Sequence, residues 1–254
     1  MGERTQHPPG TFSWADLGTT DPGATKSFYV GLFGWDTEDI PIPGGSTYTM
    51  ARLDGKSAAA LYPGQPGQPP AWMSYVTVDD VDAVTRRAIE FGGTAMQEPF
   101  DVMEAGRVAL LQDPTGAVFA LWQPRDSIGA EIVNGHGALC LNQLNTSDPG
   151  RAEEFYTDLF GWRFERVNDD PPYWGVYRGE RLNAGMLPLP ADSPGPSHWL
   201  VYFGIDDIDA AAEKIDGSGG SVAVPKTEIP GGRFIVARDP QGAHFALFAG
   251  RFDD

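Results

Sequence analysis

A single carboxylate, Asp16, alternates with Phe12 and Trp14 in the strand-like run Thr11–Leu17. Residues two apart on a strand share a face, so this carboxylate stands on an aromatic one. Burial there is costly unless the group pairs or does chemistry. The same alternation groups Met73, Tyr75 and Thr77; Val118, Ala120 and Trp122; Leu139, Leu141 and Gln143; His198, Leu200 and Tyr202; and His244, Ala246 and Phe248. Asp16 and His198 are suited to general acid–base work, with Tyr75 or Tyr202 orienting a carbonyl. Trp14, Met73, Trp122, Gln143, Leu200 and His244 suit a flat, mostly apolar ligand, stacked on rings and oriented by few hydrogen bonds. Each has a plainer reading too. The aromatics can be core, Asp16 can hold a structural hydrogen bond, His198 can cap a strand edge, and His244 can be solvated after a turn.

The elements that carry these residues occur twice. Asp21-Pro22-Gly23…Phe28-Tyr29…Leu32-Phe33-Gly34-Trp35 returns 127 positions later as Asp148-Pro149-Gly150…Phe155-Tyr156…Leu159-Phe160-Gly161-Trp162, with 9 of 15 positions identical. Asp79–Ala83 matches Asp206–Ala210 at the same offset, and Asp113–Ala117 matches Asp239–Ala243 at 126. A drift of one residue over the whole repeat means collinear duplication. Domains over residues 8–124 and 137–251 are expected, with a linker over 125–136. Within the first half, Asp21-Pro22 supplies a cap and a proline for a helix that Gly34 ends. Thr47–Leu53 and Lys56–Tyr62 form a hairpin around Asp54-Gly55. Trp72–Val78 is a strand, Val81–Glu90 a helix, and three short strands follow. The order is β-α-β-β-β twice in each half, an α+β architecture.

The 254 residues carry 35 acidic and 18 basic side chains, a net charge of −17, divided as −8 before residue 128 and −9 after it. That balance opposes nucleic acid and anionic membranes as partners. One cysteine, Cys140, excludes a disulfide framework and is expected to be packed facing outward or toward a helix. No apolar run approaches the roughly 18–20 residues of a membrane span, and the N-terminus has no signal-peptide core, so a cytoplasmic location is expected. Gly44-Gly45 and Gly231-Gly232 precede strands, which is the wrong context for a phosphate cradle. Arg107 and Arg233 are expected to anchor loops by ion pairs.

The motif set, Asp-Pro-x5-Phe-Tyr-x2-Leu-Phe-Gly-Trp, then Val-Asp-Asp-Val-Asp-Ala, then Asp-Pro-x-Gly-x2-Phe, resembles the vicinal oxygen chelate superfamily. That superfamily includes glyoxalase I, extradiol dioxygenases and bleomycin-resistance proteins. The resemblance covers residues 11–249 and is nearest to two-domain actinobacterial members labelled glyoxalase-like or hydroxylase, among them accessory proteins of aromatic polyketide pathways. It implies two tandem glyoxalase-like domains, each of two β-α-β-β-β modules curling into a cup, lined by the faces grouped above. It also implies ligand positions for a divalent metal. These fall on Trp14 and Leu141, Met73 and Leu200, Ala120 and Ala246, and within Ser57–Leu61 and Asn183–Leu187. Trp, Leu, Met and Ala offer no useful oxygen or nitrogen donor, and the two ranges contain no carboxylate or histidine. His198, His244 and Gln143 sit two residues off their positions in opposite directions, about 7 Å each along a strand.

The expected function is therefore a protein that needs no metal or other cofactor. It binds, and as an enzyme would transform, an aromatic or polyketide-like metabolite. Sequestration of a drug-like molecule without turnover is one alternative, and a metal-dependent lyase or dioxygenase with unusual ligands is another. Pairing of the domains within one chain is compatible with a monomer, and a homodimer stays open.

Overall fold

The computed structural model describes residues 2–42, 45–190, 192 and 195–252. A short strand β1 (Gly2–Glu3) precedes the first half. That half contains β2 (Phe12–Thr19), α1 (Pro22–Phe33), β3 (Asp36–Ile42), β4 (Ser46–Leu53), β5 (Lys56–Pro63), β6 (Ala71–Thr77), α2 (Val81–Glu90), β7 (Thr94–Val102), β8 (Gly106–Gln112) and β9 (Val118–Pro124). The linker contributes β10 (Ile132–Val133). The second half repeats the order with β11 (Leu139–Thr146), α3 (Pro149–Phe160), β12 (Arg163–Asp169), β13 (Pro172–Arg178), β14 (Arg181–Pro188), β15 (His198–Gly204), α4 (Ile208–Gly217), β16 (Ser221–Ile229), β17 (Gly232–Arg238) and β18 (His244–Gly250).

Each half builds its own curled sheet. The orders are β3-β4-β5-β2-β6-β9-β8-β7 and β12-β13-β14-β11-β15-β18-β17-β16. In both, the first strands of the two modules lie side by side and antiparallel at the centre, β2 with β6 and β11 with β15. The local signals act as expected. Asp21 and Asp148 accept the Ala24 and Arg151 amides at 3.0 Å, and Gly34 and Gly161 end their helices at φ 72° and 71°.

The repeated aromatic motif forms the seam between halves. Tyr29 donates to Asp239 Oδ2 at 3.3 Å, and Tyr156 donates to Asp113 Oδ2 at 2.9 Å, so each motif reaches across to the other half's turn. Trp72 and Trp199 donate their indole N–H to those tyrosine hydroxyls at 3.0 and 2.9 Å. Trp35 donates to Gly137 O and Trp162 to Gly10 O, both at 2.8 Å. Around these bonds, α1 packs with Phe203, Phe245 and Leu247 of the second half, and α3 packs with Leu111, Phe119 and Leu121 of the first.

Two facings differ from the alternation. Phe12 and Leu139 do not line the cups. Phe12 packs tilted against Trp162 and edge-on against Trp199 at the seam, and Leu139 belongs to the core that contains Phe203 and Tyr29. The register slips between Phe12 and Trp14 and between Leu139 and Leu141, and a bulge of one residue turns what precedes it to the opposite face. The same bulge brings Cys140 in beside Leu141, Tyr202 and Phe234 rather than outward. Burial pushes its thiol pKa up.

Candidate functional site

In the first cup β2 places Asp16 inward with Trp14, while Ala15 and Leu17 enter the core behind the sheet. Asp16 is 4% exposed. Its Oδ2 accepts the Tyr75 hydroxyl from β6 and the Tyr48 hydroxyl from β4, each at 2.9 Å. Tyr48 in turn accepts the Trp14 indole N–H at 3.1 Å, and its ring stacks with Tyr62 at 6.2 Å between centroids. Oδ1 is buried and has no hydrogen-bond partner. Burial raises the Asp16 pKa to about 7, against the opposing pull of the two tyrosine hydroxyls. The hydroxyls of Tyr48 and Tyr75 are held well above the usual tyrosine range, first by burial and then by the neighbouring carboxylate. They remain protonated donors at every ordinary pH.

Met73, Tyr75 and Trp122 pack with Val108, Ala120 and Leu110 on the other side of this cup. The Trp122 indole N–H donates to Ser127 O at 3.0 Å, tying the linker to the cup wall. Of the expected site residues, the structure brings together Asp16, Tyr75, Trp14, Met73 and Trp122 on one cup. Tyr48 and Tyr62 escaped the sequence reading. Tyr48 lies in an expected strand, but only the parallel pairing of Asp16 with Ala60 and the antiparallel pairing of Met50 with Ala60 aim that strand at Asp16.

The second cup holds the other expected residues. Gln143, at the position of Asp16, accepts the Tyr202 hydroxyl at 3.0 Å and donates to Asn145 Oδ1 at 2.8 Å. Asn145 Nδ2 lies 3.2 Å from His198 Nε2, and His198 Nδ1 lies 3.0 Å from Pro196 O. Both imidazole nitrogens are engaged. Leu200 packs with Tyr202, Ala246 and Phe248. His244 accepts from Arg238 Nε at 2.7 Å, and burial, Arg238 and nearby His198 all push its pKa down. Arg107 is ion-paired as expected, at 2.8 Å with Asp82 and 3.0 Å with Asp101, but these partners lie in α2 and β7, so it ties its strand to a helix and a neighbouring strand rather than anchoring a loop.

Among the described residues, no three His, Cys, Asp or Glu side chains group as metal donors. Ala120 and Ala246 are fully buried, Trp14 spends its N–H on Tyr48, and Met73 and Leu200 pack in apolar clusters. The donor set at the positions implied by the resemblance does not fit a hard divalent cation. No helix among the described residues is long and apolar enough to cross a membrane.

Comparison with known proteins agrees with this architecture. Residues 11–121 and 137–247 each match the glyoxalase/bleomycin resistance protein/dioxygenase superfamily. The chain is 42% identical to a putative glyoxylase, CFP32, of Mycobacterium tuberculosis over 97% of both chains. It is 35% identical to the anthracycline biosynthesis protein DnrV of Streptomyces peucetius, over 96% of this chain and 94% of that one. The fold is shared with a Mn(II)-bound glyoxalase from Novosphingobium aromaticivorans at TM-score 0.68 and 16% identity, over 97% of this chain and 85% of that one. It is shared too with the 2,3-dioxygenase LapB from Pseudomonas sp. KL28 at TM-score 0.67 and 16% identity, over 96% and 94%. The chain belongs to the glyoxalase/bleomycin resistance protein/dioxygenase superfamily, with the family's domain present in two tandem copies.

Proposed function

We propose that the first cup is a metal-independent acid–base site for an aromatic or polyketide-like small molecule, with Asp16 as the group that moves the proton. One observation carries this reading: the two oxygens of a single buried carboxyl group have opposite surroundings. Oδ2 is held as an acceptor by Tyr48 and Tyr75, whereas Oδ1 has no partner. A proton on Asp16 therefore resides on Oδ1. A pKa near 7 lets the same group donate and accept at neutral pH, the condition under which general acid–base catalysis is most effective. Tyr75 positions the carboxyl group, and Trp14, Met73 and Trp122 supply the apolar walls. The reaction class is proton transfer at a carbonyl or phenol of the ligand: the proton passes between that oxygen or its adjacent carbon and Oδ1.

The relatives support the ligand class. A Streptomyces protein alike over nearly its whole length is named for anthracycline biosynthesis, and anthracyclines are flat, fused-ring polyketides. A Mn(II)-bound glyoxalase shares the fold at 16% identity, but the residues of these two cups do not suit a hard divalent cation, and no step is routed through a metal.

The test uses the whole purified chain and 2-(hydroxymethyl)anthraquinone, a flat aromatic probe that does not titrate near neutrality, followed by quenching of tryptophan fluorescence. Affinity for this probe is expected to change as pH passes through 7, and the Asp16→Asn variant is expected to bind with no such change. A variant that keeps the wild-type pH profile removes Asp16 from the reading. Stoichiometric, tightly held iron, manganese, nickel or zinc in the purified protein overturns the metal-independent part. Once an anthracyclinone substrate is in hand, retained binding with lost turnover in Asp16→Asn identifies an enzyme. Binding without turnover in the wild type identifies a sequestering protein.

A further inference from the structure

The ladders between the modules leave a notch in each half. β2 pairs with β5 only from Asp16–Ala60 onward, and β11 pairs with β14 only from Gln143–Gly185 onward. In the first half the linker fills the notch. Ala130 N donates to Ser13 O at 2.7 Å, Glu131 N donates to Ser57 O at 2.8 Å, and the Glu131 carboxylate accepts the Ser57 amide at 2.8 Å. In the second half the corresponding place is a cavity of about 330 Å³, between β11, the β13–β14 hairpin and the N-terminal segment.

We propose that this cavity is a second binding site, for an organic anion with an apolar body, separate from the Asp16 cup and independent of the reading given to it. Phe12, Val133 and Leu141 supply apolar lining, while Arg4, Arg178 and Arg181 bring three guanidinium groups to the same space. Carboxylates outnumber basic groups in this chain 35 to 18, so three guanidinium groups in one place run against the chain's overall charge. Among the described residues, none of the three lining arginines has a carboxylate within ion-pair distance; Glu180, at the hairpin tip, lines the cavity without pairing to them. A positive concavity on a strongly negative surface selects for an anion, and guanidinium forks match carboxylate and phosphate geometry.

The wall is built rather than incidental. Asn183 donates to Gly10 O at 3.2 Å and accepts from Phe12 N at 3.4 Å, and Arg178 Nε donates to Pro9 O, so the hairpin and the N-terminal segment are fastened together around the space. The volume lies in the range of small-molecule sites, about 300–1,000 Å³.

Isothermal titration of the full chain with naphthoate, naphthyl phosphate and the neutral naphthalenemethanol tests the proposal. At least one anion is expected to bind one-to-one and to weaken with salt, the tighter naming the headgroup, while the neutral alcohol binds about tenfold more weakly or worse. The R4Q/R181Q double variant spares Arg178, which anchors Pro9, and is expected to lose about tenfold or more in anion affinity with an unchanged melting temperature. Asp16→Asn is expected to leave this binding intact. Three results overturn the proposal: neither anion binds, the alcohol binds equally well, or R4Q/R181Q retains wild-type affinity. Loss of naphthoate binding in Asp16→Asn but not in R4Q/R181Q also overturns it, because the molecule is then in the cup.

Discussion

The two cups place chemically different groups at one backbone position. Asp16 and Gln143 sit at matching points of β2 and β11, and each meets a hydroxyl from the matching tyrosine, Tyr75 or Tyr202. Gln143 is satisfied on both sides by Tyr202 and Asn145, and an amide does not titrate. Asp16 keeps one oxygen unpartnered and titrates near neutrality. A second difference lies across the ladder. Ala60 faces Asp16, but Gly185 faces Gln143, and a Cβ at Gly185 would stand 1.8 Å from the Tyr173 hydroxyl. Tyr173 therefore lies flat over Gly185, while its counterpart Tyr48 reaches the carboxylate. A carboxyl group in place of an amide one methylene longer on a first strand, with one methyl group across from it, separates the surroundings of the two cups.

Five substitutions break or sharpen this contrast. The largest effect is expected from Asp16→Asn on stability. The folded-state pKa of about 7 exceeds the unfolded value of 3.8, so stability falls as pH rises between the two and levels above 7. Urea titrations are expected to show Asp16→Asn gaining on the wild type across that window, by on the order of 4 kcal/mol above pH 7; parallel stabilities at pH 5 and 8 would contradict the assignment. Next, Gln143→Glu installs a carboxyl group in the neutral cup. It is expected to cost about 2–3 kcal/mol at pH 8 and less at pH 5, and a variant with no pH dependence would show that the second cup solvates charge. Gly185→Ala forces Tyr173 off its glycine at about 1–3 kcal/mol, read as a lower urea midpoint without loss of fold. The smallest effect lies outside the cups. Tyr156→Phe removes the hydroxyl shared by Asp113 and Trp199, at about 1 kcal/mol, and Tyr29→Phe, with its longer 3.3 Å bond, is expected to cost less.

Local signals made most of the fold legible. Asp21, Asp148, Gly34 and Gly161 end helices through short-range capping, and Asp54 and Gly55, at φ 50° and 77°, turn the first hairpin as their residue types require. Asp16 was visible because a carboxylate interrupts an aromatic face. The illegible parts depend on partners distant in the chain. Tyr48 and Tyr62 reach the site through strand register, and the bulges that turn Phe12 and Leu139 toward the seam carry no mark in composition. The edge strands Asp36–Ile42 and Arg163–Asp169 are mostly exposed and charged, so the alternation that reveals a half-buried strand is missing from them.

The crossed hydrogen bonds at the seam carry a consequence for how this chain has been free to vary. Tyr29 completes a turn that belongs to the far half, and Tyr156 does the same in return, so neither half is expected to finish folding as an isolated body. Melting is expected as one cooperative event rather than two, and fragments cut within the linker should recombine with each other. The residues that still match between the halves, the Asp-Pro cap, the Phe-Tyr pair and the Gly-Trp stop, are the mortise and tenon of that joint. With mutual dependence lodged there, one cup could give up its counterpart's chemistry while the molecule stayed whole.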